Sequence, residues 1–231
     1  MRLDPATAVF KVSADAVLAV LAFLPARADI RYYMNFVCAE PMKAGGARVW
    51  ATDGQAIVVR HDPDAFCATR RLLSCGRSQR ALLKKGGHVL AREDGTEWLT
   101  DDKAKSLWIA PAEAPSPQSS INLEELIGDV SEYQPGLANT FNPALLGRIA
   151  GAEAPKARYS AGAQFFTHPG NGKGLFLLGE RTFGLVMPMR GHALSDTPLA
   201  ERLPSDFLTV SKPEAANDDA PADAARQAAR A

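Results

Sequence analysis

The pattern of apolar and polar residues over positions 1–60 predicts a strand, a helix and three further strands. Ser13 is a favourable N-cap for a helix rich in alanine and leucine, and Pro25 ends that helix. The dipeptide Asp53-Gly54 is typical of a tight hairpin turn. The predicted elements are a strand over 9–12, a helix over 14–24, and strands over 31–40, 48–52 and 55–60.

The same order of elements returns twice along the chain. Asp94-Gly95 predicts a hairpin in the second unit, and Asn142-Pro143 supplies an N-cap and a first-turn proline in the third. The second unit comprises a strand over 71–74, a helix over 78–85, and strands over 89–92, 97–100 and 106–110. The third comprises a helix over 143–150 and strands over 157–160, 164–168 and 175–189, the last broken at 179–181. Repetition of a unit that packs one helix on a small antiparallel sheet predicts an α+β protein.

The composition changes at two places. Residues 112–118 are rich in proline and predict a connector. Residues 213–231 consist mostly of alanine, aspartate, proline and arginine and have no large apolar side chain. Such a segment cannot bury enough apolar surface to offset its ordering entropy, so we expect it to be disordered.

Charge and cysteine usage exclude several classes of protein. Lys plus Arg equals Asp plus Glu at 26 each, so the net charge favours no acidic partner and only local clusters can. The three cysteines form no Cys-x-x-Cys pair, which argues against a disulfide framework and a structural zinc site. We therefore expect no metal and no cofactor.

An enzyme is the weakest hypothesis from the sequence. The chain shows no paired carboxylates, no nucleophile next to a histidine and no metal-ligand spacing. The glycine-rich run at 170–174 lies between predicted strands with no helix after it, so a hairpin loop explains it better than a phosphate-binding loop. No apolar run reaches the length of a signal peptide or a membrane span, and we expect a cytoplasmic protein.

Two motifs far apart in the chain resemble one known family. Ile30-Arg31-Tyr32-Tyr33-Met34-Asn35, followed by Val49-Trp50-Ala51-Thr52-Asp53-Gly54, resembles the middle domain of the bacterial DNA polymerase III beta subunit, the sliding clamp. Val186-Met187-Pro188-Met189-Arg190 is similar to the end of the last domain in that family. Either motif alone would be weak, but together they stand in the family's order.

The resemblance implies a DNA-clamp-like fold and a division of the chain. A clamp-like domain over 1–112 would correspond to the middle clamp domain, and 113–139 would be a connector. Residues 140–192 would form a partial domain that resembles the end of the last clamp domain, and 193–231 a disordered tail. A complete clamp has three domains of two units each, whereas this chain has room for about three units.

The resemblance also implies a hydrophobic cleft that receives short peptides of polymerases and other partners. Methionine and aliphatic walls suit leucine or phenylalanine anchors. The alternative is that the same residues are ordinary strand packing. The residues implied for the cleft are Met34, Thr52, Gly54, Gln55, Ile57, Leu185, Val186, Met187, Pro188, Met189 and Arg190.

Contact with duplex DNA, without sequence specificity, is a separate expectation. Basic residues recur at helical spacing in the second unit, and in the clamp family such helices line the hole of a ring and meet phosphates. The alternative is a solvated helix face. The residues implied are Tyr32, Tyr33, Arg70, Arg71, Arg77, Arg80, Lys84 and Lys85.

Three functions remain open at this point. The first is a DNA-tethering processivity factor, which would close a ring as a homo-oligomer, either a trimer or a dimer. The second is an adaptor or decoy that binds clamp-binding peptides away from DNA. The third, an enzyme, has the least support.

Overall fold

A computed structural model describes residues 8–75, 77–101, 103, 105–110, 121–137, 139–152 and 162–189. The α-helices are α1 (Ala14–Leu21), α2 (Arg77–Leu83), α3 (Leu123–Ile127) and α4 (Pro143–Ile149). Short 3-10 turns occupy Tyr32–Asn35, Val130–Glu132 and Ala150–Ala152. The strands are β1 (Phe10–Ser13), β2 (Val37–Pro41), β3 (Ala47–Thr52), β4 (Ala56–Asp62), β5 (Phe66–Cys67), β6 (Arg71–Leu73), β7 (His88–Ala91), β8 (Glu97–Thr100), β9 (Ser106–Ala110), β10 (Gln134–Pro135), β11 (Ala163–Thr167), β12 (Gly174–Leu178) and β13 (Thr182–Val186).

The strands form two antiparallel sheets. One has the order β5-β1-β7-β8-β9, and the other has the order β10-β11-β12-β13-β4-β3-β2-β6. In the larger sheet β13 pairs with β4, so that Leu185 lies opposite Ile57 and Val186 opposite Ala56. This pairing joins strands of the first and third predicted units, which are more than 100 residues apart in the chain.

The two faces of the larger sheet bury different clusters. Because side chains alternate along a strand, Val58 and Val186 face the main core, where α1 and α4 also pack. Ile57 and Leu185 face the other side and form a smaller cluster with Leu123 of α3. The short helix α3 therefore covers part of the outer face of the sheet.

The prediction of an α+β protein is confirmed. The hairpin at Asp53-Gly54, the helix that begins after Asn142 and the break between β12 and β13 all occur as predicted. Asn142 caps α4 by accepting a hydrogen bond from the amide of Ala144 at 2.9 Å.

The strand predicted over 31–40 is wrong in its first half. Residues 32–35 form a 3-10 turn, and the strand begins only at Val37. Asn35 closes this loop on Asp29: its side-chain oxygen accepts from the Asp29 amide at 2.8 Å and its side-chain nitrogen donates to the Asp29 carbonyl at 2.9 Å. A side-chain amide that satisfies backbone groups in this way competes with strand pairing.

The predicted connector contains structure of its own. It includes α3, a 3-10 turn and β10, which pairs with β11. The domain boundaries at 112 and 140 stay a prediction. The strand predicted over 157–160, the proline-rich run at 112–118 and the tail over 193–231 lie outside the described residues, where we make no structural statement. In the described part of the chain, every helix is too short to cross a membrane.

Candidate functional site

The Gly54 turn and the segment after β13 lie side by side. The pairing of β4 with β13 brings them together, and the amide of Met187 donates to the carbonyl of Gln55 at 2.8 Å. Two adjoining cavities open at this junction, and Gly54, Gln55 and Met187 line both. We call the pair the cleft.

The first cavity of the cleft is small and largely apolar. Its volume is about 190 Å³. Residues predicted from the sequence make up most of its wall, namely Met34, Thr52, Gly54, Gln55, Ile57, Leu185 and Met187. The remaining lining residues are Arg31, Ala56, Ile121 and Leu126. A pocket of this composition suits one aliphatic or aromatic side chain.

The second cavity is larger and more polar, with a volume of about 690 Å³. Pro188 and Met189 line it together with the three shared residues, as the sequence predicts. The other lining residues are Asn142, Leu145, Asn171 and Lys173. Amide side chains in such a wall can bind the backbone of an extended peptide.

Hydrogen bonds fix the turn that the two cavities share. Gly54 has a φ of +86°, which L-residues with a side chain rarely adopt. Thr52 Oγ1 accepts from the Gly54 amide at 3.0 Å and donates to the Ala56 carbonyl at 2.8 Å. Asp53 Oδ1 accepts from the amides of Gln55 and Ala56 at 2.9 and 3.0 Å.

The second carboxylate oxygen of Asp53 pairs with Arg148 of α4 at 2.5 Å. Burial alone would raise the pKa of Asp53, but the hydrogen bonds from Arg148 and from the two backbone amides outweigh it and hold the pKa below its usual value. Asp53 is therefore a charged anchor that ties the turn to the helix layer.

Arg31 covers the Gly54 turn from the other side. A Cβ added to Gly54 would lie 3.0 Å from both Nη1 and Nη2 of Arg31, so the guanidinium rests against the glycine. Asp29 holds Arg31 through Nε and Nη2, each at 2.9 Å. The same hydrogen bonds lower the pKa of Asp29 to about 2.

One described residue that was predicted for the cleft does not line it. Val186 is fully buried in the main core, because it follows Leu185 and alternation points it to the opposite face of the sheet. Its prediction as a cleft residue is wrong. Arg190 lies outside the described residues.

Sequence reasoning missed the contribution of α3 and of Ile121, two residues before it. Ile121 and Leu126 line the apolar cavity, and no motif indicated this, because the segment reads only as a connector. Glu124 pairs with Arg48 of β3 at 2.5 Å, and Lys173 Nζ donates to the Leu126 carbonyl at 2.8 Å. These contacts hold α3 against the sheet.

The predicted DNA-binding residues divide into two groups. Arg70 pairs with Glu40 at 2.9 Å, and Arg71 donates to the Arg92 carbonyl at 3.1 Å, so both engage the protein itself. Arg80 of α2 is exposed, as are Lys84 and Lys85 just after the helix. The side chains of Tyr32, Tyr33 and Arg77 lie outside the part of the chain that the structure describes.

Comparisons with known proteins give a structural match without a sequence match. No protein-family model matches the chain, and no curated protein does. The DNA polymerase III subunit beta from Pseudomonas aeruginosa matches with a TM-score of 0.57 and 13% identity, over 81% of this chain and 68% of that one.

Two further solved structures agree. The DNA polymerase III beta chain from Streptococcus pneumoniae matches with a TM-score of 0.57 and 10% identity, over 86% of this chain and 69% of that one. The DNA polymerase sliding clamp from Caulobacter crescentus has a TM-score of 0.55 and 10% identity, over 78% and 65%. This chain therefore spans about two thirds of the length of these structures. At this identity the match concerns the fold.

Proposed function

We propose that this chain, which has the fold of the bacterial sliding clamp, binds short peptides of partner proteins in the cleft and contacts duplex DNA without sequence specificity. In this proposal it acts as a processivity factor, and a DNA polymerase is the expected class of partner. It performs no chemistry on either ligand.

The observation that carries the proposal is the meeting of two distant motifs. Gly54 and Gln55 share both cavities with Met187, although Gln55 and Met187 are 132 positions apart in the sequence. An apolar cavity that continues into a polar one suits a peptide with one apolar anchor and an extended backbone. Methionine walls can adapt to different anchors, which suits several partners.

A peptide titration tests the cleft. We expect a fluorescein-labelled peptide with leucine and phenylalanine anchors to bind the wild-type chain in a saturable way. Met187→Ala removes a wall shared by both cavities, and the loss of its packing should raise the Kd roughly tenfold, which corresponds to about 1.4 kcal/mol. Fluorescence anisotropy measures the Kd.

Leu177→Ala is the matched control. Leu177 lies on β12 of the same sheet, is partly exposed and lines neither cavity. The Kd of the Leu177→Ala variant for the peptide should equal that of the wild type. If the two variants weaken binding equally, or if the peptide does not bind, the cleft is not the site.

A second candidate function is an adaptor or decoy that binds the same peptides away from DNA. The engagement of Arg70 with Glu40 and of Arg71 with a backbone carbonyl favours it, because these cations are less available to phosphates. Peptide binding without DNA association would identify this function.

A further inference from the structure

A third cavity lies on the helix side of the larger sheet. It has a volume of about 570 Å³ and is bounded by the end of α1, by α2 and by α4. Leu21, Leu24 and Pro25 form apolar walls, and the charged groups that line it are Asp53, Arg80 and Arg148. Two cations and one anion leave the cavity with a net positive charge. We call it the helix-side cavity.

Arg148 lines this cavity and binds Asp53 of the Gly54 turn. Its Nε donates to the Ala22 carbonyl at 2.7 Å, and its Nη1 pairs with Asp53. The guanidinium lies over the ring of Phe23, 4.9 Å from the centroid. Its Nη2 is buried and has no hydrogen-bond partner among the described residues. A buried donor without an acceptor is rare in folded proteins.

Asp53 connects Arg148 to the cleft through its two carboxylate oxygens. One carboxylate oxygen binds Arg148, while the other accepts from the amides of Gln55 and Ala56. Both of those residues line the apolar cavity. The ion pair with Arg148 and the hydrogen bonds of the turn therefore share one carboxylate.

We propose that the helix-side cavity binds a phosphate-type oxyanion between Arg80 and Arg148, and that this binding loosens the contact of Arg148 with Asp53. A guanidinium can present two parallel donors to such an anion. Because Nη2 is buried, the anion reaches it only when the guanidinium turns away from Asp53. The apolar walls strengthen the attraction by lowering the local dielectric.

The two cavities are then coupled through one ion pair. An anion in the helix-side cavity weakens the Gly54 turn, and a ligand that stabilises the turn weakens the anion by the same factor. The anion site does not depend on the peptide, whereas its effect on peptide affinity rests on the proposed function. An NMR readout at the turn keeps the two separable.

The test is a titration of the full-length protein with inorganic phosphate, with chloride added to hold the ionic strength constant. Amide resonances of Gln55 and Ala56 report the position of Asp53 in the absence of any peptide. We expect both resonances to shift in a saturable way. Arg80→Ala, which removes a cation of the cavity without contact to Asp53, should raise the apparent Kd at least about fivefold.

Two variants complete the design. Arg148→Lys keeps the charge but loses the forked donors, so it should bind phosphate more weakly and uncouple the shifts. Lys43→Ala removes an exposed lysine in the turn between β2 and β3, far from the cavity in sequence, and should match the wild type. If Arg148→Lys does not fold, Arg80→Ala still decides the outcome.

A second arm identifies the source of the anion. If a short DNA duplex shifts the same two resonances and phosphate competes with it, the ligand is a backbone phosphodiester of DNA. If only inorganic phosphate shifts them, the ligand is a free anion. Absence of saturable shifts with both probes, or equal shifts in the wild type and Arg80→Ala, overturns the proposal, whether or not the chain binds peptides.

Discussion

At the scale of single residues, two equally buried glutamates differ in the hydrogen bonds that they accept. Glu40 accepts hydrogen bonds from Trp50 Nε1, from Arg48 at 3.2 Å and from Arg70 at 2.9 Å. Glu97 of β8 is equally buried, but its Oε1 has no hydrogen-bond partner among the described residues. Burial raises the pKa of Glu97 to about 7, against a weaker opposing effect of Arg71.

The raised pKa of Glu97 predicts a pH-dependent stability. The unfolded state loses this proton near 4.5 and the folded state near 7, so between these values the folded state binds more protons. The free energy of unfolding should then fall as the pH rises through this window, by up to about 3 kcal/mol. Urea denaturation at about pH 5 and about pH 8 measures the difference.

Glu97→Gln supplies the comparison for this prediction. The variant has no proton to lose, so its stability should change less between the two pH values, and at the higher pH it should exceed that of the wild type. An identical pH dependence of the two proteins would show that Glu97 ionises freely in the folded state.

At the scale of secondary-structure elements, the β4–β13 pair is the joint that builds the cleft. Gly184 lies in the middle of β13 opposite Val58. A Cβ on Gly184 would collide with the Ile57 carbonyl oxygen and the ring of Phe176. The absence of a side chain at this position lets β13 approach both the strand beside it and the core.

A pair of glycine substitutions tests this joint. Gly184→Ala should destabilise the protein by roughly 1–3 kcal/mol, because backbone and a packed ring must move to admit a methyl group. Gly147→Ala in α4 meets no atom within 4 Å and should stabilise it by about 0.5–1 kcal/mol, because glycine costs more entropy in a helix than alanine. Thermal unfolding measures both.

Destabilisation by Gly184→Ala together with stabilisation by Gly147→Ala would show that the close contact of β13 with β4 and Phe176 matters for the stability of the protein. If Gly184→Ala leaves the melting temperature unchanged while Gly147→Ala raises it, the strand can shift without cost. The close contact at the joint would then contribute little to the position of the cleft.

At the scale of the whole molecule, basic and acidic residues are equal in number, but the basic side chains differ in how far the protein itself binds them. The equal numbers of basic and acidic residues give no net attraction to DNA. Arg70 and Arg71 are held by other groups of the protein, whereas Arg80, Lys84 and Lys85 are exposed at α2 and the turn that follows. Among the predicted DNA-contact residues whose side chains are described, those of the α2 region are therefore the ones left available to phosphates.

Charge reversal tests this expectation. The double variant Arg80→Glu, Lys84→Glu should weaken association with duplex DNA at low salt, because two phosphate contacts are lost and replaced by repulsion. The slope of log K against log salt should become shallower by about 2. Electrophoretic shift at several salt concentrations measures both quantities, and Lys43→Glu is the control for a change in net charge.

Unchanged DNA association in the double variant would exclude α2 as the DNA contact. Light scattering with and without nicked circular DNA then addresses assembly. A ring that encloses DNA requires more than one copy of this chain if the circle is completed by identical subunits, so a dimer or trimer retained on nicked circles supports the processivity role. A monomer in both conditions supports the adaptor.

The sequence by itself determined many of the local elements and indicated both motifs of the cleft. Capping by Asn142, the turn at Asp53-Gly54 and the hairpin between β12 and β13 depend on interactions among near neighbours, which local patterns record. The resemblance of the Gly54 and Met187 segments to one family indicated that they meet. The loop at 32–35 escaped prediction because the side chain of Asn35 closes it on the backbone of Asp29, six residues earlier.

Only the tertiary structure decided which faces those elements present. Val186 and Leu185 are adjacent in sequence and similar in chemistry, yet the pairing register with β4 places one in the core and the other at the cleft. Ile121 and Leu126 enter the cleft because Arg48 and Lys173 hold α3 against the sheet, contacts that span 76 and 47 residues. Alternation along a strand places neighbours on opposite faces, but the packing of the whole sheet decides which face becomes the core and which distant strand pairs with it.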